Sequence, residues 1–139
     1  KEMNERSGWK YQIDYTEALQ FTVYEEGDHC DWHSDGGSDH FSAYRKHYPN
    51  ITLEDGIKYT QDENMVGKVR KLSFTVDISP EEYEGGDFYI KTDTGEEQKI
   101  DILPGTIIAF PSYTEHKITP VTKGTRYSMV LWCLGYPFK

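Results

Sequence analysis

Residues 70–78 read RKLSFTVDI. Leu72, Phe74, Val76 and Ile78 alternate with Lys71, Ser73, Thr75 and Asp77, so one side of this stretch is apolar and the other polar. A period of two is the pattern of a half-buried β-strand. Working outward, further β-rich runs occupy Leu19 to Tyr24, Cys30 to Asp35, Asp87 to Lys91, Gln98 to Ile102, Thr106 to Phe110, Glu115 to Val121 and Thr125 to Leu134. Gly27, Gly85 with Gly86, Asp93 to Gly95, and Pro104 with Gly105 supply turn signals between them. About eight short strands with little helix indicate an all-β sandwich or barrel rather than an α/β fold.

The interruption is Gly36 to Val69, a polar, Gly- and Asp-rich stretch holding two His, three Tyr and Pro49. A connection this long without clear structure of its own is commonly functional or mobile. It is read here as a long active-site loop over residues 36–69, and as a lid that closes over bound substrate.

Length and charge narrow the possibilities. One domain fits 139 residues, and aromatic residues at 14% of the chain argue against global disorder. With 15 basic and 24 acidic side chains the formal net charge is −9, which disfavours a nucleic-acid groove or an anionic membrane surface. No apolar run approaches the roughly 18 residues of a membrane helix. Two cysteines, Cys30 and Cys133, form neither a CxxC pair nor a disulfide framework, and a reducing, cytoplasmic setting follows. The chain opens at Lys1 and its first dozen residues read as mid-protein text, so it is expected to be the catalytic part of a longer protein.

Chemistry concentrates in His33-Ser34-Asp35. On a strand, residues i and i+2 share a face, so one imidazole and one carboxylate converge. Alone, such a triplet is usually a surface His beside an Asp. His116, on a late strand, can supply a third ligand. Two imidazoles and one carboxylate cap one face of an octahedral iron and leave positions open, whereas a closed structural zinc site takes four ligands, usually with Cys. Arg126 adds a cation. The turn-like Pro120 to Thr125 joins the strands bearing His116 and Arg126, so the two are expected to be near cross-strand neighbours. Arg126, Ser128, Val130 and Trp132 should share one face, where a guanidinium can grip a carboxylate in bidentate fashion and Ser128 can add a hydroxyl hydrogen bond.

The order of these elements resembles the 2-oxoglutarate and Fe(II)-dependent oxygenases, and within them the prolyl 4-hydroxylase-like branch. Tyr24 to Gly27 leading into His33-Ser34-Asp35, the stretch Tyr83 to Phe88 with its paired glycines, Pro104 to Ser112 approaching His116, and then Arg126-Tyr127-Ser128 carry the resemblance. It covers about Phe21 to Leu134. It implies a double-stranded β-helix, that is, a cupin-like jelly roll. It also implies Fe(II) held by His33, Asp35 and His116, and 2-oxoglutarate anchored by Arg126 with Tyr24 and Ser128 assisting. The implied reaction consumes O2, with ascorbate as an accessory reductant, releases succinate and CO2, and hydroxylates an unactivated C–H. The substrate is expected to be a prolyl or other residue of a peptide or protein. A free amino acid or small molecule remains open, as does a non-catalytic cupin-like metal-binding domain. Two positions depart from the branch: Arg126, where many members carry Lys, and Cys30, where they often carry Tyr. An N-terminal helical segment, expected before the barrel, is absent, which would leave Tyr127, Met129 and Leu131 on an apolar outer face.

Other residues are read more plainly. Trp32, pointing opposite to His33, is expected in the core. Trp132 is expected to pack in the core in preference to lining the pocket. His40 and His47 are expected to be solvated, with contact to substrate as the alternative, and a zinc set of His29, Cys30 and His33 is disfavoured because alternation separates His29 from Cys30. Asn50-Ile51-Thr52 matches a glycosylation sequon by chance.

Overall fold

The computed structural model describes residues 1–37 and 42–138. Among the described residues the one α-helix, α1 (Glu2–Arg6), is a single short turn. The strands are β1 (Tyr15–Thr16), β2 (Gln20–Tyr24), β3 (Cys30–His33), β4 (Arg45–Lys46), β5 (Tyr59–Thr60), β6 (Val69–Asp77), β7 (Glu84–Gly85), β8 (Phe88–Lys91), β9 (Glu97–Ile100), β10 (Ile107–Pro111), β11 (His116–Ile118), β12 (Val121–Lys123) and β13 (Arg126–Gly135).

Two antiparallel sheets form the body. The major sheet runs β1-β13-β6-β10, with β2 also paired to β13, and the minor sheet runs β3-β11-β8-β9. From β2 onward the chain crosses between them almost every time it re-enters one: β2 major, β3 minor, β6 major, β8 and β9 minor, β10 major, β11 minor, β13 major. That winding makes the architecture the expected double-stranded β-helix, a jelly roll. The small ladder β12-β7 lies off both sheets.

The facing of β6 departs from what its alternation suggests. A half-buried strand ordinarily turns its apolar residues inward. Here Ser73, Thr75 and Asp77 are buried, while Phe74 and Val76 are only half-buried. Register explains this. Ser128, Val130 and Trp132 of β13 stand opposite Asp77, Thr75 and Ser73, and these residues turn toward the space between the sheets. Met129, Leu131 and Cys133 stand opposite Val76, Phe74 and Leu72 on the outer face. Tyr127, Met129 and Leu131 are half-buried there, and Phe21 of β2 is 58% exposed beside them. The polar set is buried because it builds the site described below.

Apolar packing between the sheets gathers at the minor sheet. Phe88, Phe110 and Ile118 form a buried cluster, with Tyr24, Cys30, Ile90, Ile100, Ile102 and Ile108 packed against it. On the outside, the N-terminal segment lies along the end of β13, with Asp14 and Glu17 donating backbone hydrogen bonds to Leu134 and Trp132. A Cβ at Gly135 would meet the Gln12 carbonyl at 2.1 Å, so this approach requires glycine.

The described residues 42–69 of this stretch have structure of their own. β4 and β5 pair in parallel, Tyr44 exchanges backbone hydrogen bonds with Gly67 and Lys68, and Ala43 and Tyr44 are buried. His40 lies outside the described residues. His47 is half-buried against the Tyr59 ring rather than fully solvated.

Candidate metal centre

His33 and His116 stand directly opposite each other on paired β3 and β11, with ring centroids 4.2 Å apart. The two side chains are oriented alike. Each Nδ1 lies 2.8 Å from the backbone carbonyl two residues earlier, that of Asp31 for His33 and that of Thr114 for His116. A carbonyl only accepts, so Nδ1 carries the hydrogen and each Nε2 keeps its lone pair. Both Nε2 atoms lie 3.3 Å from Asp35 Oδ1. Among the described residues, His33, Asp35 and His116 form the one cluster of three ligand atoms close enough to share an ion. Two neutral imidazoles and a carboxylate on one side, with the cavity on the other, suit a divalent metal with open positions.

Asp35 is held from several directions. Its backbone N–H donates to the Ser112 carbonyl at 2.9 Å, and its Oδ2 accepts from Ser73 Oγ at 2.6 Å. Ser73 Oγ is in turn 2.9 Å from Ser112 Oγ. Lys58 Nζ, reaching in from the 42–69 stretch, donates to the Asp35 carbonyl. Burial alone would raise the Asp35 carboxyl. The neighbouring His116 and His33 rings and the hydrogen bond from Ser73 outweigh it and hold the group well below the usual carboxylate range, so it stays ionised. The Asp35 carboxylate beside Nε2 favours the protonated ring and raises His33. Burial and the charge of Arg70 push Lys58 down to about 8. Phe110 packs edge-on to His116 at 4.7 Å and fixes its ring.

A cavity of about 180 Å³ opens from this cluster, lined by residues of both sheets. It is below the roughly 300–1,000 Å³ of drug-sized ligand sites and fits a small acid. Arg126 lines it and is 2% exposed, yet its Nε and Nη2 have no hydrogen-bond partner. Two orphaned, buried N–H donors on one guanidinium edge are what a bidentate carboxylate would satisfy. Tyr24 presents its ring to that guanidinium at 5.4 Å, and buried Ser128 lines the wall one inward step along. Asp77 balances the charge. Burial raises its carboxyl, but hydrogen bonds from Tyr83 and Ser79 and the charge of Arg126 hold it below its ordinary value. The donor set and the orphaned guanidinium thus fit a metal and a small diacid together.

The expected route between His116 and Arg126 is corrected. They are not neighbours across a hairpin. The expected single strand Glu115 to Val121 breaks after Ile118, and β12 leaves to pair with β7. The chain then enters the other sheet, so His116 and Arg126 face one cavity from different sheets. Trp32 is not in the core. It lies half-buried on the outer face of the minor sheet between the ammonium groups of Lys91 and Lys117, each 4.7 Å from its ring. Trp132 lines the cavity instead of packing in the core. Arg70 stacks on it at 3.7 Å, Glu17 grips Arg70 through two hydrogen bonds, and Tyr44 donates to Glu17. Ser73, Ser112, Lys58 and Arg70 carried no role in the sequence reading. Only the polar alternation of β6 pointed at Ser73.

Comparison with known proteins accords with this geometry. A profile of the 2OG-Fe(II) oxygenase superfamily matches residues 19–134. A PKHD-type hydroxylase of Alteromonas mediterranea is 47% identical over 62 residues, 44% of this chain and 27% of that protein. One of a Shewanella species is 37% identical over 82 residues, 58% of this chain and 34% of that protein. The alignments thus span about a third of these relatives' length or less. Among solved structures, a Pseudomonas putida prolyl-4-hydroxylase superposes with a TM-score of 0.63 at 16% identity, covering 99% of this chain and 62% of that one. The viral collagen prolyl hydroxylase of Paramecium bursaria Chlorella virus-1, in complex with 2OG, gives 0.63 at 18% identity, covering 96% and 66%. A prolyl hydroxylase from Trichoplax adhaerens, bound to a hypoxia inducible factor peptide fragment, gives 0.59 at 16% identity, covering 88% and 46%. The chain belongs to the 2-oxoglutarate and Fe(II)-dependent oxygenase superfamily.

Proposed function

We propose that residues 1–139 are the catalytic domain of a 2-oxoglutarate- and Fe(II)-dependent dioxygenase that hydroxylates a prolyl or other residue of a peptide or protein. The observation that carries this reading is one cavity bearing the three-ligand cluster together with a buried guanidinium whose Nε and Nη2 lack partners. A non-catalytic metal-binding domain has no use for that orphaned cation. The Trichoplax neighbour, bound to its peptide fragment, supports a peptide substrate.

His33 Nε2, Asp35 Oδ1 and His116 Nε2 would hold Fe(II), while the Asp31 and Thr114 carbonyls keep both imidazoles in the ligating tautomer. Arg126 would take the far carboxylate of 2-oxoglutarate, with the Tyr24 ring against its guanidinium and Ser128 beside it. Phe88, Phe110 and Ile118 line the same cavity and exclude water from the reacting groups. Bound iron supplies oxygen activation coupled to decarboxylation of the keto acid to succinate and CO2, and the protein supplies orientation. Among the described residues, no helix is long and apolar enough to cross a membrane.

The test is succinate release from 2-oxoglutarate with Fe(II) and O2 present, together with a peptide-library screen for gain of one oxygen atom. Release should require both Fe(II) and 2-oxoglutarate and vanish in His33→Ala and His116→Ala. Turnover at the wild-type rate in either variant would overturn the assignment.

A further inference from the structure

Cys30 and His33 are three residues apart, an odd spacing that would place them on opposite faces of a regular strand. They nevertheless share the cavity. On the partner strand His116 stands opposite His33 and Ile118 opposite Cys30, so two steps on β11 match three on β3. The bulge turns the Cys30 side chain back toward the metal centre. Its Sγ lies 3.4 Å from His33 Nδ1 and 4.0 Å from Nε2, the ligating nitrogen. Cys30 is half-buried and packs against the Phe88, Phe110 and Ile118 cluster with Tyr24. A second observation points to the ligand of this space: Arg126, 2% exposed with two orphaned donors, lines the same cavity. A diacid reaching from Arg126 to the metal would pass close to the sulfur.

We propose that Cys30 is a self-oxidation site, receiving an oxygen atom when 2-oxoglutarate is consumed with no substrate in the cavity. The inference rests on the dioxygenase reading above. The balance is 2-oxoglutarate, O2 and Cys30 thiol giving succinate, CO2 and Cys30 sulfenic acid. The bond between the first two carbons of the keto acid breaks, and its oxidation to a carboxylate takes one oxygen atom. The sulfur loses two electrons, takes the other oxygen atom, and its proton moves to that oxygen. No external oxidant is needed beyond the O2 of the reaction. Sulfur is readily oxidised, and the sulfenic form is returned to thiol by small thiols. Cys133 is a built-in control. It is buried on the outer face of the major sheet opposite Leu72, away from the cavity.

The experiment incubates the protein with Fe(II), 2-oxoglutarate and O2 but no substrate, measures succinate, and maps both cysteines by peptide mass spectrometry. The expected result is one added oxygen on Cys30, with each further oxygen consuming another 2-oxoglutarate and O2 by the same balance, none on Cys133, and none on either when 2-oxoglutarate is omitted. A second readout needs no turnover: Mn(II) with 2-oxoglutarate should slow N-ethylmaleimide labelling of Cys30 by about tenfold, as a ligand covering its wall would. Succinate release with Cys30 unmodified overturns the inference and leaves the dioxygenase reading standing. Equal oxidation of both cysteines, or unchanged labelling of Cys30, also overturns it. Absence of succinate under these substrate-free conditions overturns the inference and leaves the dioxygenase reading to its own test with substrate present.

Discussion

Ser73 Oγ donates a 2.6 Å hydrogen bond to Asp35 Oδ2, and both groups are buried. The polar face of β6 thus holds the carboxylate that both imidazoles face. Ser73→Ala should leave the fold in place and weaken Fe(II) binding by about 10- to 100-fold, the usual effect of removing a partner that orients a metal ligand. Anaerobic metal titration checks this. Unchanged affinity would show that Asp35 is positioned without Ser73.

Arg126 has little room to move. Gly86 has φ +60°, and a Cβ there would lie 3.1 Å from Arg126 Cδ and 3.1 Å from Val121 Cγ2. Gly95 has φ +82° with nothing within 4 Å. Alanine at either position should destabilise the protein by about 1–3 kcal/mol through backbone strain. Only Gly86→Ala should also weaken 2-oxoglutarate binding, because only there is the guanidinium displaced. Equal 2-oxoglutarate affinity in the two variants, read by calorimetry, would contradict the anchoring role.

How much of this could be seen in the sequence depended on the kind of information each residue carries. His33, Asp35, His116 and Arg126 were legible because few residue types bind metals or grip carboxylates, and their order is informative. The shared face of Arg126, Ser128, Val130 and Trp132 followed from strand parity. Alternation in Leu72 to Asp77 separated two faces but not which one turns inward. That depends on pairing with β13, which no local pattern encodes. The break after Ile118 and the bulge beside Cys30 are likewise properties of pairing between distant strands, as is the meeting of Ser73 with Ser112.

Asp77 makes a prediction about acid. Its pKa is depressed in the folded state, so the stability it contributes is present above the unfolded value of about 3.9 and is lost as pH falls through the folded value. Asp77→Asn should therefore show a shallower loss of thermal stability than the wild type as pH falls below about 4. It should also be less stable near neutrality, since buried Arg126 loses its balancing charge. Melting curves across pH measure both effects. Parallel acid limbs would contradict the role.

Lys58 ties the 42–69 stretch to the metal centre through the Asp35 carbonyl. Lys58→Met should speed hydrogen exchange at Arg45, whose amide bonds to the Lys58 carbonyl, and around β4 and β5, while leaving β6 and β13 protected. If exchange changes equally in the major sheet, the lysine supports the whole fold and not this segment.

The central claim is that His33, Asp35, His116 and Arg126 bind one Fe(II) and one 2-oxoglutarate together. Chelation of Fe(II) by a keto acid produces a visible charge-transfer absorption, which can be titrated without oxygen. The account predicts that the band appears only with both components present, saturates at one of each per chain, is lost in His116→Ala, and needs more 2-oxoglutarate in Arg126→Ala. A band that persists unchanged in His116→Ala, or none in the wild-type protein, would contradict it.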